Sequence, residues 1–215
     1  MRPAPVIQRA RLEASWAERA ATCLSAAEEA RAGKFRFALD RDRWRAGRAW
    51  VRHRLAEALG RGPVGLEFVV DERGRPRVAG APPGFDCNWS HSGEWIALAV
   101  SRDGPVGVDV EVVRADFPAM EVAACFFTPA ETAVLGAVAE PVARQRLFFR
   151  LWTAKEALMK ATGLGVALEP AQIEVTLREH HPHGYASHPS WRVGLEEEPA
   201  CVMAWTWGAG RGGKV

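Results

Sequence analysis

The stretch Phe149-Arg150-Leu151-Trp152-Thr153-Ala154-Lys155-Glu156-Ala157-Leu158-Met159-Lys160-Ala161-Thr162-Gly163 reads as a helix that runs into a glycine stop. Gly163 stands where a left-handed C-terminal cap belongs. Trp152, Glu156 and Lys160 recur every four residues and therefore share one face, with Lys155 on its flank. For a lone Glu–Lys pair, a solvated surface helix is explanation enough. Upstream, however, Val106-Gly107-Val108-Asp109-Val110-Glu111-Val112 reads as a strand. Its valines share one face; Gly107, Asp109 and Glu111 share the other. Two carboxylates so placed repel each other unless something positive sits between them or the face is an edge turned to water. A hard divalent cation held by carboxylate oxygens meets that need, and Mg²⁺ commonly combines carboxylates with substrate phosphates. Glu156 would complete the set, leaving Lys155 and Lys160 to face phosphate oxygens.

The 215 residues suffice for one large domain or two small ones, and 48% hydrophobic with 25% charged residues is the balance of a soluble globular protein. A net charge of +2 argues against a general polyanion surface, so no nucleic-acid partner is expected. The cysteines, Cys23, Cys87, Cys125 and Cys201, are scattered without metal-ligand spacing, which points to a reduced, cytoplasmic protein. Residues 1–12 are polar and proline-punctuated, unlike a signal peptide, and no apolar run is long enough to span a membrane.

Residues 14–32 and 40–59 carry helical periodicity, the second with Asp40 as N-cap, a stripe of Trp44, Val51, Leu55 and Leu59, and Gly60 as its stop. Arg31, Lys34 and Arg43 bracket the start of this basic helix, where a phosphate would also gain from free backbone N–H groups. Residues 64–70 read as a strand and 71–76 as a turn from which Arg75 reaches a phosphate. Residues 85–93 read as a loop offering Ser90, His91 and backbone donors to phosphate oxygens. A strand over 95–101 and an Asp103-Gly104 hairpin turn then lead to Asp109 and Glu111. A helix over 117–127, a capping box at Thr128–Glu131 with Pro129 behind the cap, and the long helix over 142–162 follow. Strands are expected at 171–177, 190–195 and 200–207, a plain loop at His180, His181 and His183, and a frayed tail over the last eight residues.

Helix, glycine and short strand occur twice, at 56–70 and 160–177. The repeat predicts an α+β pseudo-dimer of two similar halves, 1–105 and 106–215, with the site in the cleft between them.

The pair Gly107-Val108-Asp109-Val110-Glu111 and Trp152-Thr153-Ala154-Lys155-Glu156-Ala157-Leu158-Met159-Lys160 resembles the two signature motifs of the 4′-phosphopantetheinyl transferases, and length and spacing are most similar to the surfactin-synthetase-activating type. The resemblance runs from about Lys34 to about Leu177, and Asn88-Trp89-Ser90-His91-Ser92-Gly93 belongs to it. It implies transfer of the 4′-phosphopantetheine group from coenzyme A to a serine of an acyl or peptidyl carrier protein, leaving adenosine 3′,5′-bisphosphate. It implies Mg²⁺, with Mn²⁺ as a substitute, on Asp109, Glu111 and Glu156; Glu156 or a nearby water as the base; Lys160 on the leaving phosphate; and Lys155 on a phosphate. Ser90 and His91 fall on the pyrophosphate and the region of Arg31, Lys34 and Arg43 on the 3′-phosphate, although Glu28 stands where the closest relatives carry a base. A monomer is expected. The competing readings are a coenzyme A- or carrier-protein-binding module without catalysis, and an interaction protein whose basic helix docks an acidic partner.

Overall fold

The structure is a computed structural model that describes residues 3–72, 74–163, 169–177, 183–186 and 191–208, with 183–186 described in backbone only. The halves follow one order: a strand, two short helices, a helix of 22 residues, then four strands. In the first half these are β1 (Val6–Arg11), α1 (Ala14–Cys23), α2 (Ala26–Ala32), α3 (Ala38–Leu59), β2 (Phe68–Val70), β3 (Pro76–Val78), β4 (Asp86–Ser92) and β5 (Trp95–Ser101). In the second they are β6 (Val106–Val112), α4 (Ala119–Phe126), α5 (Pro129–Ala137), α6 (Pro141–Thr162), β7 (Val175–Leu177), β8 (His183–Ala186), β9 (Trp191–Glu197) and β10 (Cys201–Gly208). One sheet runs β1-β5-β4 with β2-β3 as a separate hairpin; the other runs β6-β10-β9-β8-β7.

Period-2 alternation in the central strands builds a layered core. Ala97 and Ala99 of β5 meet Val106, Val108 and Val110 of β6 and Cys201 and Met203 of β10 between the sheets. Ile96, Leu98 and Val100 turn the other way, onto Trp50, Val51 and Leu55 of α3. Val202 and Ala204 turn onto Phe148, Phe149 and Leu158 of α6. Both long helices end on a left-handed glycine, Gly60 at φ 64° and Gly163 at φ 66°. Thr128 and Glu131 form the capping box of α5 as their spacing predicts. Among the described residues, no helix is long and apolar enough to cross a membrane.

Several local expectations change. Residues 14–32 form two helices, because Ser25 caps α2 in a box with Glu28. Helix α3 starts at Ala38 with Phe37 as its N-cap, so Asp40 lies inside the first turn. The edge strand β1, absent from the sequence reading, pairs antiparallel with β5. Residues 85–93 form β4, not a loop. Of 64–70 only Phe68–Val70 is strand, and 171–177 divides into a 3-10 turn at Pro170–Gln172 and β7. His183 opens β8; His180, His181 and 209–215 lie outside the described residues. The turn at 102–105 makes no hairpin: β5 and β6 belong to different sheets, and the turn carries the chain from one half to the other.

Among the described residues, that crossing leaves one edge of β6 without a strand partner, and side chains of β4 take its place. Val106 N donates to Asp86 Oδ2 at 2.9 Å, Val108 N to Asn88 Oδ1 at 2.9 Å and Val112 N to Ser92 Oγ at 3.1 Å. Alternate residues of β4 therefore join the halves along the strand that carries Asp109 and Glu111.

Candidate active site

Gly107 sets the depth of the site. A Cβ there would lie 2.0 Å from the carbonyl oxygen of Ala157 and 2.5 Å from the amide of Ala161, so α6 crosses β6 at a point only glycine permits. Ala157 and Ala161 fill the contact, and their neighbours Glu156 and Lys160 come to stand over Asp109. The strand face and the helix face read from the sequence thus meet.

Asp109 is 4% exposed. Its Oδ1 accepts from Lys160 Nζ at 2.6 Å and from Ser90 Oγ at 2.7 Å, and Lys160 Nζ also donates to Ser90 Oγ at 3.0 Å. This closes a triangle drawn from both halves. Asp109 Oδ2 is buried with no hydrogen-bond partner among the described residues. Ser92 Oγ donates to Glu111 Oε2 at 2.7 Å. Burial pushes the Glu111 carboxyl up, and Asp109 adds to the push against the Ser92 hydrogen bond. Burial likewise raises Glu156, with Asp109 and Glu111 adding and Lys160 opposing. Each carboxyl resists its neighbours' charge, the arrangement expected where a function requires it.

Among the described residues, no three His, Cys, Asp or Glu side chains converge tightly enough to close a metal centre by themselves. The donor chemistry nevertheless fits a hard divalent cation: three carboxyls, an orphaned buried oxygen on Asp109, and carboxyl pKa values on the other two that are pushed up and that a cation would pull back down.

A cavity of about 890 Å³ adjoins this point, with Ser90 and His91 in its lining. Arg31, Arg43, Trp44, Arg48, Phe68 and Trp89 also line it, a wall of guanidinium and aromatic groups. Arg31 lies over the Trp44 ring at 5.5 Å. Ser90, His91, Arg31 and Arg43 are therefore in one cavity, whereas Lys34 is exposed and outside its lining.

Two other expected phosphate contacts are placed elsewhere. Lys155 is 1% exposed and points into the second half, where Nζ pairs with Glu131 Oε2 at 2.7 Å and donates to the carbonyls of Pro170 (2.8 Å) and Ile173. All three ammonium hydrogens are spent, so none is left for a phosphate. Burial pushes the Lys155 amine down, against the pull of Glu131. Arg75 is 7% exposed and outside the cavity lining; it donates to Asp86 Oδ2 at 2.7 Å and to the carbonyls of Val106 and Lys160. It joins the halves at the Lys160 carbonyl of α6. Glu28 does not face a phosphate as a bare acid either: it pairs with Arg48 and, at 2.8 Å, with Arg52. The sequence reading passed over Asp86, Asn88 and Ser92, whose alternation with Cys87, Trp89 and His91 was the available strand signal.

Residues 105–202 match the family model described as 4′-phosphopantetheinyl transferase superfamily, and residues 12–103 the one described as 4′-phosphopantetheinyl transferase, N-terminal. The chain is 35% identical over 187 residues to the 4′-phosphopantetheinyl transferase HetI of Nostoc sp., covering 86% of this chain and 78% of that protein.

This chain belongs to the 4′-phosphopantetheinyl transferase superfamily.

A 4′-phosphopantetheinyl transferase of Bacillus subtilis is 32% identical over 168 residues, covering 78% of this chain and 73% of that one. A solved holo-[acyl-carrier-protein] synthase of Thermotoga maritima overlaps 47% of this chain and 61% of its own at 19% identity and a TM-score of 0.39, too slight a likeness to carry argument. In this transferase chain the two family models divide close to where the turn at 102–105 passes from one sheet to the other.

Proposed function

We propose that this transferase moves the 4′-phosphopantetheine group of coenzyme A onto a serine of an acyl or peptidyl carrier protein, with the cavity of the first half holding coenzyme A and the carboxylates of the second half holding Mg²⁺. The observation that carries this reading is the Ser90–Asp109–Lys160 triangle, with its orphaned Asp109 oxygen, joined through Ser90 to a basic and aromatic cavity. Arg31 and Arg43 take the 3′-phosphate, and Ser90 and His91 the pyrophosphate. Asp109, Glu111 and Glu156 would hold the cation, which when bound neutralises phosphate charge and polarises the transferring phosphorus. Mn²⁺ is expected to substitute because it accepts the same oxygen ligands.

The serine Oγ–P bond forms as the bond from that phosphorus to the adenosine 3′,5′-bisphosphate oxygen breaks. Glu156, directly or through a water, receives the serine proton; a raised carboxyl pKa brings it closer to that task at neutral pH. Lys160, held by Asp109 and Ser90, meets the negative charge that develops on the leaving phosphate. Most of the acceleration then comes from positioning and charge neutralisation, since general acid–base terms typically supply about 10²–10⁴-fold. Four cysteines without disulfides support a reduced, cytoplasmic setting, in which the chain acts as a monomer.

The test is incubation with coenzyme A, Mg²⁺ and a panel of apo-carrier proteins from fatty-acid, polyketide and nonribosomal-peptide systems, read by intact mass. A gain of one phosphopantetheine group, stopped by EDTA and restored by Mg²⁺ or Mn²⁺, is expected. No gain on any carrier would overturn the assignment; a gain indifferent to EDTA would overturn the metal.

A further inference from the structure

The wall of the cavity contains an acid that the transfer does not use. Glu28 is 8% exposed and lines the cavity beside Arg31, Arg43, Arg48 and Arg52. Its Oε1 accepts from Arg48 Nε; its Oε2 accepts from Arg52 Nε and from the Ser25 amide, each at 2.8 Å. Arg52 also donates to the carbonyls of Pro63 (2.6 Å) and Leu66 (3.0 Å), which fixes it as part of the wall. Arg48 differs. Its guanidinium lies 3.8 Å from the Phe68 ring centroid and 5.1 Å from that of Trp89, and its terminal nitrogens make no hydrogen bond to a described residue. It is a cation with donors free at the cavity surface, whose charge a buried carboxylate balances.

We propose that Glu28 is a specificity-setting residue that tunes the cavity's hold on the 3′-phosphate. The inference rests on the assignment of this cavity to coenzyme A. With Glu28 ionised, its charge offsets one of the two guanidiniums it touches, Arg48 and Arg52, and lowers the positive potential that the cavity presents to the phosphate beside Arg31 and Arg43. The same phosphate leaves on the product, adenosine 3′,5′-bisphosphate. A stronger grip would strengthen substrate and product binding alike without favouring the transition state, and would slow release. Glu28 keeps that grip moderate.

The experiment is calorimetric binding of adenosine 3′,5′-bisphosphate, and of adenosine 5′-monophosphate as the probe lacking the 3′-phosphate, to the full chain and to Glu28→Gln, Arg48→Gln and the double variant. Glutamine keeps the shape of the side chain and an acceptor for the Ser25 amide. Glu28→Gln should bind the bisphosphate roughly three- to tenfold more tightly, leave the monophosphate unchanged, and lose the gain at high salt. Adding Arg48→Gln should cancel it. An unchanged or weaker bisphosphate affinity in Glu28→Gln, or a gain that survives Arg48→Gln, overturns the inference. Should Glu28→Gln not fold, Arg48→Gln alone decides: with Glu28 left ionised, it should weaken bisphosphate binding roughly three- to tenfold and leave the monophosphate unchanged, and a bisphosphate affinity within about twofold of wild type overturns the inference. If wild type binds neither nucleotide, the coenzyme A cavity itself is wrong; if it binds both and Glu28→Gln changes nothing, only this inference falls.

Discussion

Lys155 and Lys160 lie five positions apart on one helix, each paired with a buried acid, yet they do opposite things. Lys155 is sealed, and its ammonium is spent on Glu131 and two carbonyls. Glu131 is equally committed, for its oxygens also take the amides of Thr128 and Val175, at 2.8 and 2.7 Å. The Lys160 side chain is 29% exposed, and its partner Asp109 keeps one oxygen without a partner among the described residues. A buried polar network satisfied on every side holds a structure together; one left incomplete next to an open cavity is available for chemistry. Counting partners atom by atom, more than burial or residue type, separates the two lysines.

The sharpest way to break that contrast is to remove the incomplete member. Asp109→Ala or Glu156→Ala should lower transfer by on the order of 10³-fold while circular dichroism stays that of wild type, because each removes a proposed cation ligand and little packing. Near-wild-type rates in Asp109→Ala would leave the orphaned oxygen without a function. Lys155→Met should act on the fold instead. It strands Glu131 and should cost about 3–5 kcal/mol in denaturant unfolding, with the turnover of correctly folded molecules kept. Adding Glu131→Leu should restore much of that stability, as replacing a whole buried pair by apolar groups often does.

Lys160→Ala should do the reverse: little change in melting, with kcat and kcat/KM falling together by roughly 10²-fold. A higher KM for coenzyme A at unchanged kcat would reduce Lys160 to a binding residue. Arg43→Ala probes the basic wall of the cavity and should raise KM for coenzyme A about tenfold at constant kcat, as expected for the loss of one charge-assisted contact of about 1.5 kcal/mol. Dephospho-coenzyme A should be used about equally by that variant and wild type.

The smallest effect concerns the Glu28 cluster of the first half. Burial pushes the Glu28 carboxyl up, but the hydrogen bonds from Arg52 and the Ser25 amide, with the charge of Arg48, outweigh it and hold the carboxyl below its ordinary value. A depressed folded-state pKa contributes stability above the unfolded carboxylate value, and that contribution is lost as pH falls through the folded one. The melting-point gap between wild type and Glu28→Gln should therefore narrow between about pH 6 and about pH 3. A gap independent of pH would mean that the cluster stabilises through packing alone.

Local signals decided what was legible beforehand. The long helix ending on Gly163, the alternating strand at 106–112 and the capping box at Thr128 are each specified by residues within a turn or two of one another, and each stands where its residues place it. So does the juxtaposition of Asp109, Glu156 and Lys160, since strand and helix periodicity leave them on facing surfaces and Gly107 lets those surfaces touch. Residues 85–93 failed as a loop because their polar alternation is satisfied by amides of a strand in the other half. The amino-acid sequence by itself determined that Asp109 and Glu111 share a strand face, that Glu156 and Lys160 share a helix face, and the family, because these rest on short-range spacing. Only the tertiary structure decided that Lys155, Arg75 and Glu28 are bound into the fold: their partners are Glu131 and Pro170, Asp86 and Val106, Arg48 and Arg52, and a charge is spent or free according to what the folded chain brings within hydrogen-bond reach.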